Sequence, residues 1–154
     1  VILRNFSPEE ISINIHSDLR ADKITEIQKN KNVSLVFYDD NKKIQLRVRG
    51  EAKLLESSKK SWIKLSNWSR RCYLAKDSPG SESNFPTAGF PENYKSEAPT
   101  TEESELGLKN FSVIRVFVDE IEWLFLASQG HRRALFKIER RNSEIKVTGK
   151  WLVP

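Results

Sequence analysis

The chain has 154 residues, 26 Lys+Arg against 21 Asp+Glu, a formal net charge of +5 and 38% hydrophobic residues. That mix can close a core and excludes a disordered chain, and no apolar run reaches the ~18 residues of a membrane-spanning helix. One cysteine excludes an intramolecular disulfide framework and fits a reducing, cytoplasmic setting, while two histidines leave little for a zinc site.

The chain holds no methionine and opens on Val1 inside an apolar run, so an N-terminal segment is expected upstream of it. Residues 1–154 otherwise read as one domain. Val1–Phe6 reads as a first strand, and Ser7–Pro8–Glu9–Glu10 as a turn. Ile11, Ile13 and Ile15 alternate with polar residues, a period-two strand. Ser17 and Asp18 are suited to cap a helix over about 19–29, in which Leu19, Ile24 and Ile27 share a face. Val33–Tyr38, a turn at Asp39–Asp40–Asn41 and a strand from Ile44 to Leu54 form a hairpin. Ser57–Ser58 starts a second helix through Trp62 and Leu65 toward Tyr73. Phe111–Val118, Glu122–Ala127, Arg133–Glu139 and a segment from Ile145 read as further strands. Seven or eight antiparallel strands with two inserted helices predict a mainly β fold, a small closed or split barrel.

Charge is unevenly distributed. Residues 77–105 carry seven acids, one base and four of the six prolines, which predicts a long, partly mobile loop. The remaining 125 residues carry 25 bases and 14 acids, which suggests an anionic partner, although a basic solvated surface gives the same balance. Nucleic acid is disfavoured, because the cations are dispersed and the aromatics fall on apolar faces.

Candidate chemistry falls in three places. Arg20 and Lys23 lie in the first turn of the predicted helix, where cations oppose the helix dipole unless an anion sits there; Asp18 and Asp22 offer the alternative of simple charge balance. Gln45 and Arg47 share a strand face outside the apolar set, as a wet face or as donors to a ring or phosphate. Trp123, Gln129, His131 and Arg133 have like parity, with Gly130 breaking the strand into a turn. There an indole could cover a planar ligand and Arg133 could clamp an anion bidentately. No glycine-rich phosphate loop, dinucleotide fingerprint or nucleophile elbow is present.

Five segments in order resemble the pyridoxamine 5′-phosphate oxidase-like FMN-binding split barrels. Val1–Phe6 resembles the first cofactor strand R-x-V-L-L-K-G-F, its leading arginine lying upstream. His16 to Lys23 resembles the phosphate segment T-D-x-R-S-x-K, and Val33–Tyr38 with Gln45 to Gly50 resembles the strand pair F-Y…Q-x-R-x-x-G. Glu122-Trp123 to His131-Arg132-Arg133-Ala134 resembles E-[FW]-W…H-x-R, and Trp151-Leu152-Val153-Pro154 resembles the terminal R-L-x-P.

The resemblance implies FMN, with Arg20, Lys23 and Ser17 at its phosphate beside Ala21, Val1 and Ile2 against the ring, and Gln45 bonded to it. Trp123 and Arg133 would complete the site from a second subunit of a homodimer. The substrate side departs from the family. Trp62 to Arg70 lacks the Y-x-x-x-R-x-x-x-S motif, although Arg70 and Arg71 could supply other cations. Gln129-Gly130-His131 stands for R-x-H, Arg4 for a lysine, and Ala21 for Ser or Lys. Pyridoxamine 5′-phosphate oxidation is therefore not expected. The resemblance implies a flavin-dependent oxidoreductase acting on another small molecule, with His131 the candidate proton donor. The alternative is a flavin or haem carrier, for which His16 and His131 are the available imidazoles.

Overall fold

The computed structural model describes residues 1–55, 58–142 and 144–154. Among these residues seven strands form one antiparallel sheet: β1 (Leu3–Ser7), β2 (Ser12–Asp18), β3 (Asn32–Asp39), β4 (Ile44–Leu54), β5 (Phe111–Phe125), β6 (Arg132–Arg141) and β7 (Glu144–Leu152). Their order is β1-β2-β5-β4-β3, with β6 added to β5 and β7 to β6. β2 and β6 take successive halves of one β5 edge: β2 pairs with Phe111–Phe117 and β6 with Glu120–Phe125. Arg140 closes the gap between them. Its guanidinium donates to the carbonyls of Glu10 and Ile11 and pairs with Asp119 at 3.1 Å.

The segments expected as two strands, Phe111–Val118 and Glu122–Ala127, are one strand of 15 residues. A register shift explains the apparent break. Gly50 opposes Val118, but Arg49 opposes Glu120, so β5 carries one extra residue. Ile114, Val116 and Val118 face the core before that bulge, and Ile121 packs on the same core after it. Sequence alternation changes phase at the bulge and imitates a strand end. Gly50 sits where β4 passes closest to β5: a Cβ there would lie 2.1 Å from the Phe117 carbonyl oxygen.

Two cores lie on the sheet. One joins Ile13, Ile15, Val48, Ala52, Ile114, Val116 and Val118 with Ile24 and Ile27 of α1 (Asp22–Lys29). This helix starts later than the capping pattern predicts. Ala21 is its N-cap, without a side-chain cap bond, because Asp18 belongs to β2 and binds Arg20 instead. The second core covers the other face of the sheet at the start of β5. There Trp62, Phe111 and Val113 are buried with Leu65, Tyr73 and Leu108 against them.

The helix expected from Ser57–Ser58 toward Tyr73 is broken; Ser57 lies outside the described residues. α2 (Lys59–Ile63) ends before Ser66, whose hydroxyl accepts from Ser69 N–H and opens α3 (Asn67–Arg70), followed by a 3-10 turn at Arg71–Leu74. Arg70 is buried. It stacks 5.0 Å from the Trp62 ring and pairs with Glu105 at 2.9 Å, and Glu105 also accepts from Trp62 Nε1.

The acidic segment is held at several points. Arg71 lies 3.5 Å over Trp68 and 4.6 Å from the centre of Phe90, and it donates to the Tyr94 carbonyl. Thr100 and Glu103 form a capping box on α4 (Thr101–Glu105). The loop thus has its own short helix and side-chain anchors, and Arg70 and Arg71 are engaged within the fold rather than offered to a substrate.

Replacing Gly50 by Ala sets a methyl against backbone that cannot rotate away. The expected loss is about 1–3 kcal/mol, read as a lower urea midpoint at unchanged slope.

Candidate functional site

The residues assigned to a phosphate and the start of a ring lie where β2 meets α1. Ser17 and Ala21 are buried, and the Ser17 hydroxyl donates to the Asp18 carbonyl at 3.3 Å. Arg20 is heavily engaged. Nε and Nη2 bind the Asp18 carboxylate at 3.0 and 2.7 Å, and Nη1 donates to the Ala75 and Lys76 carbonyls at 3.1 and 3.0 Å. Four of its five N–H donors are therefore used in tying β2 to the 75–76 segment. Lys23 has no ion pair among the described residues. It borders a hollow of about 230 Å³ with Val1, Ile15, Ser34 and Leu35. Arg20 borders a different hollow of about 440 Å³ with Tyr73, Lys76, Tyr94 and Lys109. Val1 and Ile2 are exposed apolar residues at the head of β1.

The other assigned residues lie at the far end of β5. Register places Gln45 opposite Leu124 and Leu124 opposite Arg133, so Gln45 and Arg133 share one sheet face on either side of Leu124. Arg133 binds Glu122 at 2.6 Å, and Arg47 reaches the same carboxylate at 3.3 Å. Arg133 Nε is buried without a partner among the described residues.

Trp123 is on the opposite face. It opposes Leu46 and Ala134, lies 6.3 Å from Trp151 and 6.1 Å from Phe125, and borders an apolar hollow of about 450 Å³ with Phe136, Gly149 and Trp151. The like parity of Trp123 and Arg133 therefore does not put them together. Trp123 pairs with Ala134, not Arg133, so the antiparallel turn exchanges odd and even faces. Gln129 and His131 are exposed in that turn, where Gly130 takes φ 121°.

Distance along β5 separates the two groups. Asp18 opposes Phe111, whereas Gln45 opposes Leu124. That is about 40 Å of extended strand, well beyond one mononucleotide. Within one chain the structure brings Gln45 together with Arg133, and Val1 with Lys23. It brings neither Arg20 to Trp123 nor Arg4 to Gln129 and His131. His16 and His131 are likewise at opposite ends, and no group of three His, Cys, Asp or Glu suited to a metal occurs among the described residues.

A third cluster was only partly legible. Arg4, Asn5, Asn14, His16, Ser61 and Lys64 border a hollow of about 350 Å³ between the first two strands and α2. His16 packs edge-on to Phe111 at 5.0 Å, and its Nδ1 is buried without a partner among the described residues. Burial, and then the Arg4 charge, hold His16 below its ordinary pKa. Burial pushes the Tyr73 hydroxyl up to about 12, against an opposing effect of Arg4. Arg4 was visible in the sequence, but Ser61 and Lys64 join it only through the docking of α2.

The sequence model described as pyridoxamine 5′-phosphate oxidase, FMN-binding domain, matches residues 1–56. No curated protein sequence matches the chain significantly. Among solved structures, a pyridoxamine 5′-phosphate oxidase-related, FMN binding protein from Nostoc punctiforme superposes with a TM-score of 0.73 at 18% identity, covering 100% of this chain and 79% of that one. PhzG from Burkholderia lata, solved in complex with tetrahydrophenazine-1-carboxylic acid, gives 0.68 at 20% identity, covering 99% of this chain and 72% of its own. The antiparallel sheet is therefore a split barrel, the fold it shares with these structures. No helix among the described residues is long and apolar enough to cross a membrane.

Tyr73, packed in the second core, gives the fold a pH signature. Its folded pKa lies above the unfolded value of 10.0, so its contribution is complete below pH 10 and is lost as pH rises toward about 12. Unfolding free energy measured across that window is expected to fall in the native protein and to fall less in Tyr73→Phe.

Proposed function

We propose that the protein binds FMN at a site completed by a second copy of the chain and acts as a flavin-dependent oxidoreductase on a small molecule. The observation that carries this reading is the match over residues 1–56, which contains Val1, Ile2, Ser17, Arg20, Ala21, Lys23 and Gln45. The donor set fits the group. Lys23 brings an ammonium without an ion pair among the described residues, and Arg20 brings its charge and one remaining N–H to a phosphate. Val1 and Ile2 offer apolar surface to a ring, and the Gln45 amide and the unpartnered Arg133 Nε offer hydrogen bonds to its polar edge.

The length of β5 supports the second copy. A two-fold arrangement that sets the Arg20 end of one chain against the Trp123 end of the other joins what a single chain keeps apart. The exposed Trp151, Val147 and Phe136 beside Trp123 give that end an apolar surface to cover. In such a dimer Gln129 and His131 reach the site from the second copy, with Arg4 facing them from the first. Bound FMN would supply two-electron hydride transfer. The chain's own residues fix the phosphate, orient the ring and shield it from water.

The test is the visible absorbance of purified protein after incubation with FMN and desalting, with light scattering for the oligomer. Retained flavin on a dimer is expected. Lys23→Ala is expected to weaken FMN binding by about tenfold or more without changing the unfolding midpoint, the scale of one charge-assisted contact. A colourless protein with unchanged fold overturns the reading. A dimer that holds flavin but transfers no electrons from any donor is a carrier.

A further inference from the structure

Two stretches of opposite charge lie apart in the fold. Residues 132–152, the ribbon of β6 and β7, carry seven bases and two acids, and residues 77–105 carry seven acids and one base. Among the described residues no ion pair joins them. Glu92 pairs with Lys95 inside the acidic segment at 2.7 Å, and Glu105 with Arg70 at 2.9 Å. Asp77, Glu82, Glu97, Glu102 and Glu103 have no ion pair among the described residues, and neither do Arg132, Lys137, Lys146 and Lys150 of the ribbon.

The ribbon also lacks a cover. Every residue from Glu144 to Trp151 is exposed, although Ile145, Val147 and Trp151 share with Phe136 the face that Trp123 occupies. Val147 is 51% exposed and Trp151 74%. Gly149 deepens this face: a Cβ there would lie 3.0 Å from the Phe136 ring, so glycine lets the ring lie across β7. The result is the apolar hollow of about 450 Å³, with Lys150 at its rim. The acidic segment offers a matching surface. Residues 81–89 are exposed without a break, and Phe85 among them is 69% exposed. The ribbon hollow of its own copy is out of reach. The segment leaves the fold beside Arg20, which donates to the Ala75 and Lys76 carbonyls. About 40 Å of β5 separates that end from Trp123.

We propose that the β6–β7 ribbon is the docking surface for the acidic segment of a second copy of the chain. Phe85 of one copy fills the hollow beside Phe136 and Trp151 of the other, and the carboxylates around it face Arg132, Lys146 and Lys150. Two-fold symmetry makes the exchange reciprocal, so each dimer closes two such contacts. Opposite charge brings the surfaces together and fixes their register, and burial of the rings supplies affinity. The docking identifies what covers the Trp123 end in the dimer, and it rests on the two-fold arrangement of the preceding subsection.

The experiment couples carboxylates to lysines with a zero-length carbodiimide in an exchanged mixture of isotope-labelled and unlabelled full chains, with and without FMN. Mass spectrometry is expected to find Asp77 or Glu82 joined to Lys146 or Lys150 in pairs of mixed label. Sedimentation is expected to show the dimer loosening by about tenfold or more as salt rises from about 0.05 to 0.5 M. Lys150→Glu and Phe85→Ser, both at exposed positions, are each expected to loosen it by a similar factor with an unchanged circular dichroism spectrum, and Lys60→Glu to leave it as it is. Links found only in pairs of single label put the segment on the ribbon of its own copy and overturn the docking. Links from Lys146 and Lys150 to carboxylates outside 77–105 put another face of the second copy on the ribbon and overturn it as well, as does a monomer. A dimer that retains FMN and shows none of these links removes the docking and leaves the flavin reading. Mixed-label links in a dimer that retains no flavin remove the flavin reading and leave the docking.

Discussion

Everything in this fold hangs on one long strand whose first half is covered on both faces. Val113 and Ile114 are neighbours in β5 and both are fully buried. Consecutive residues in a strand point to opposite faces, so a single core cannot bury both. Ile114 is covered by the sheet's curved interior with α1, and Val113 by Trp62, Phe111 and the helical segment after β4. The insertion between β4 and β5 is thus required by the sheet, not appended to it. Its buried Arg70 and its capped α4 follow from having to close a small second core with few apolar residues.

The sequence announced the elements that obey one period throughout. β2, β3 and β4 alternate cleanly, and the β3–β4 turn stands where Asp39–Asp40–Asn41 predicts it. It concealed elements in which a local signal was overridden. The extra residue near Asp119 split β5 into two apparent strands. Asp18, a good cap by residue type, was taken by the stronger attraction of Arg20 at 2.7 Å. The acidic segment looked unanchored because its fasteners, Arg71 and Trp68, lie outside its own composition.

The candidate site was legible in part for a similar reason. Motif segments named the residue types, and the matched stretch 1–56 contains eight of them. Their grouping was not legible. Whether Trp123 and Arg133 share a side depends on the sum of paired residue numbers across a turn, which no inspection of one strand gives. The Arg47–Glu122–Arg133 bridge and the company kept by Arg4 also depend on register and on the docking of α2.

The sandwich of Arg71 between Trp68 and Phe90 has a consequence for how the acidic segment can diverge. Around Phe90 the segment is held by a flat cation between two rings and by carbonyl contacts, not by a strand ladder. Such a joint reads the shape of one guanidinium and ignores most of the residues on either side. The fold of a single copy therefore leaves the stretch from Asp77 to Phe90 free to exchange its sequence, and even its length, while the clasp keeps both ends of the segment in place. A lysine cannot serve as that clasp, because a round ammonium has no plane to insert between the rings.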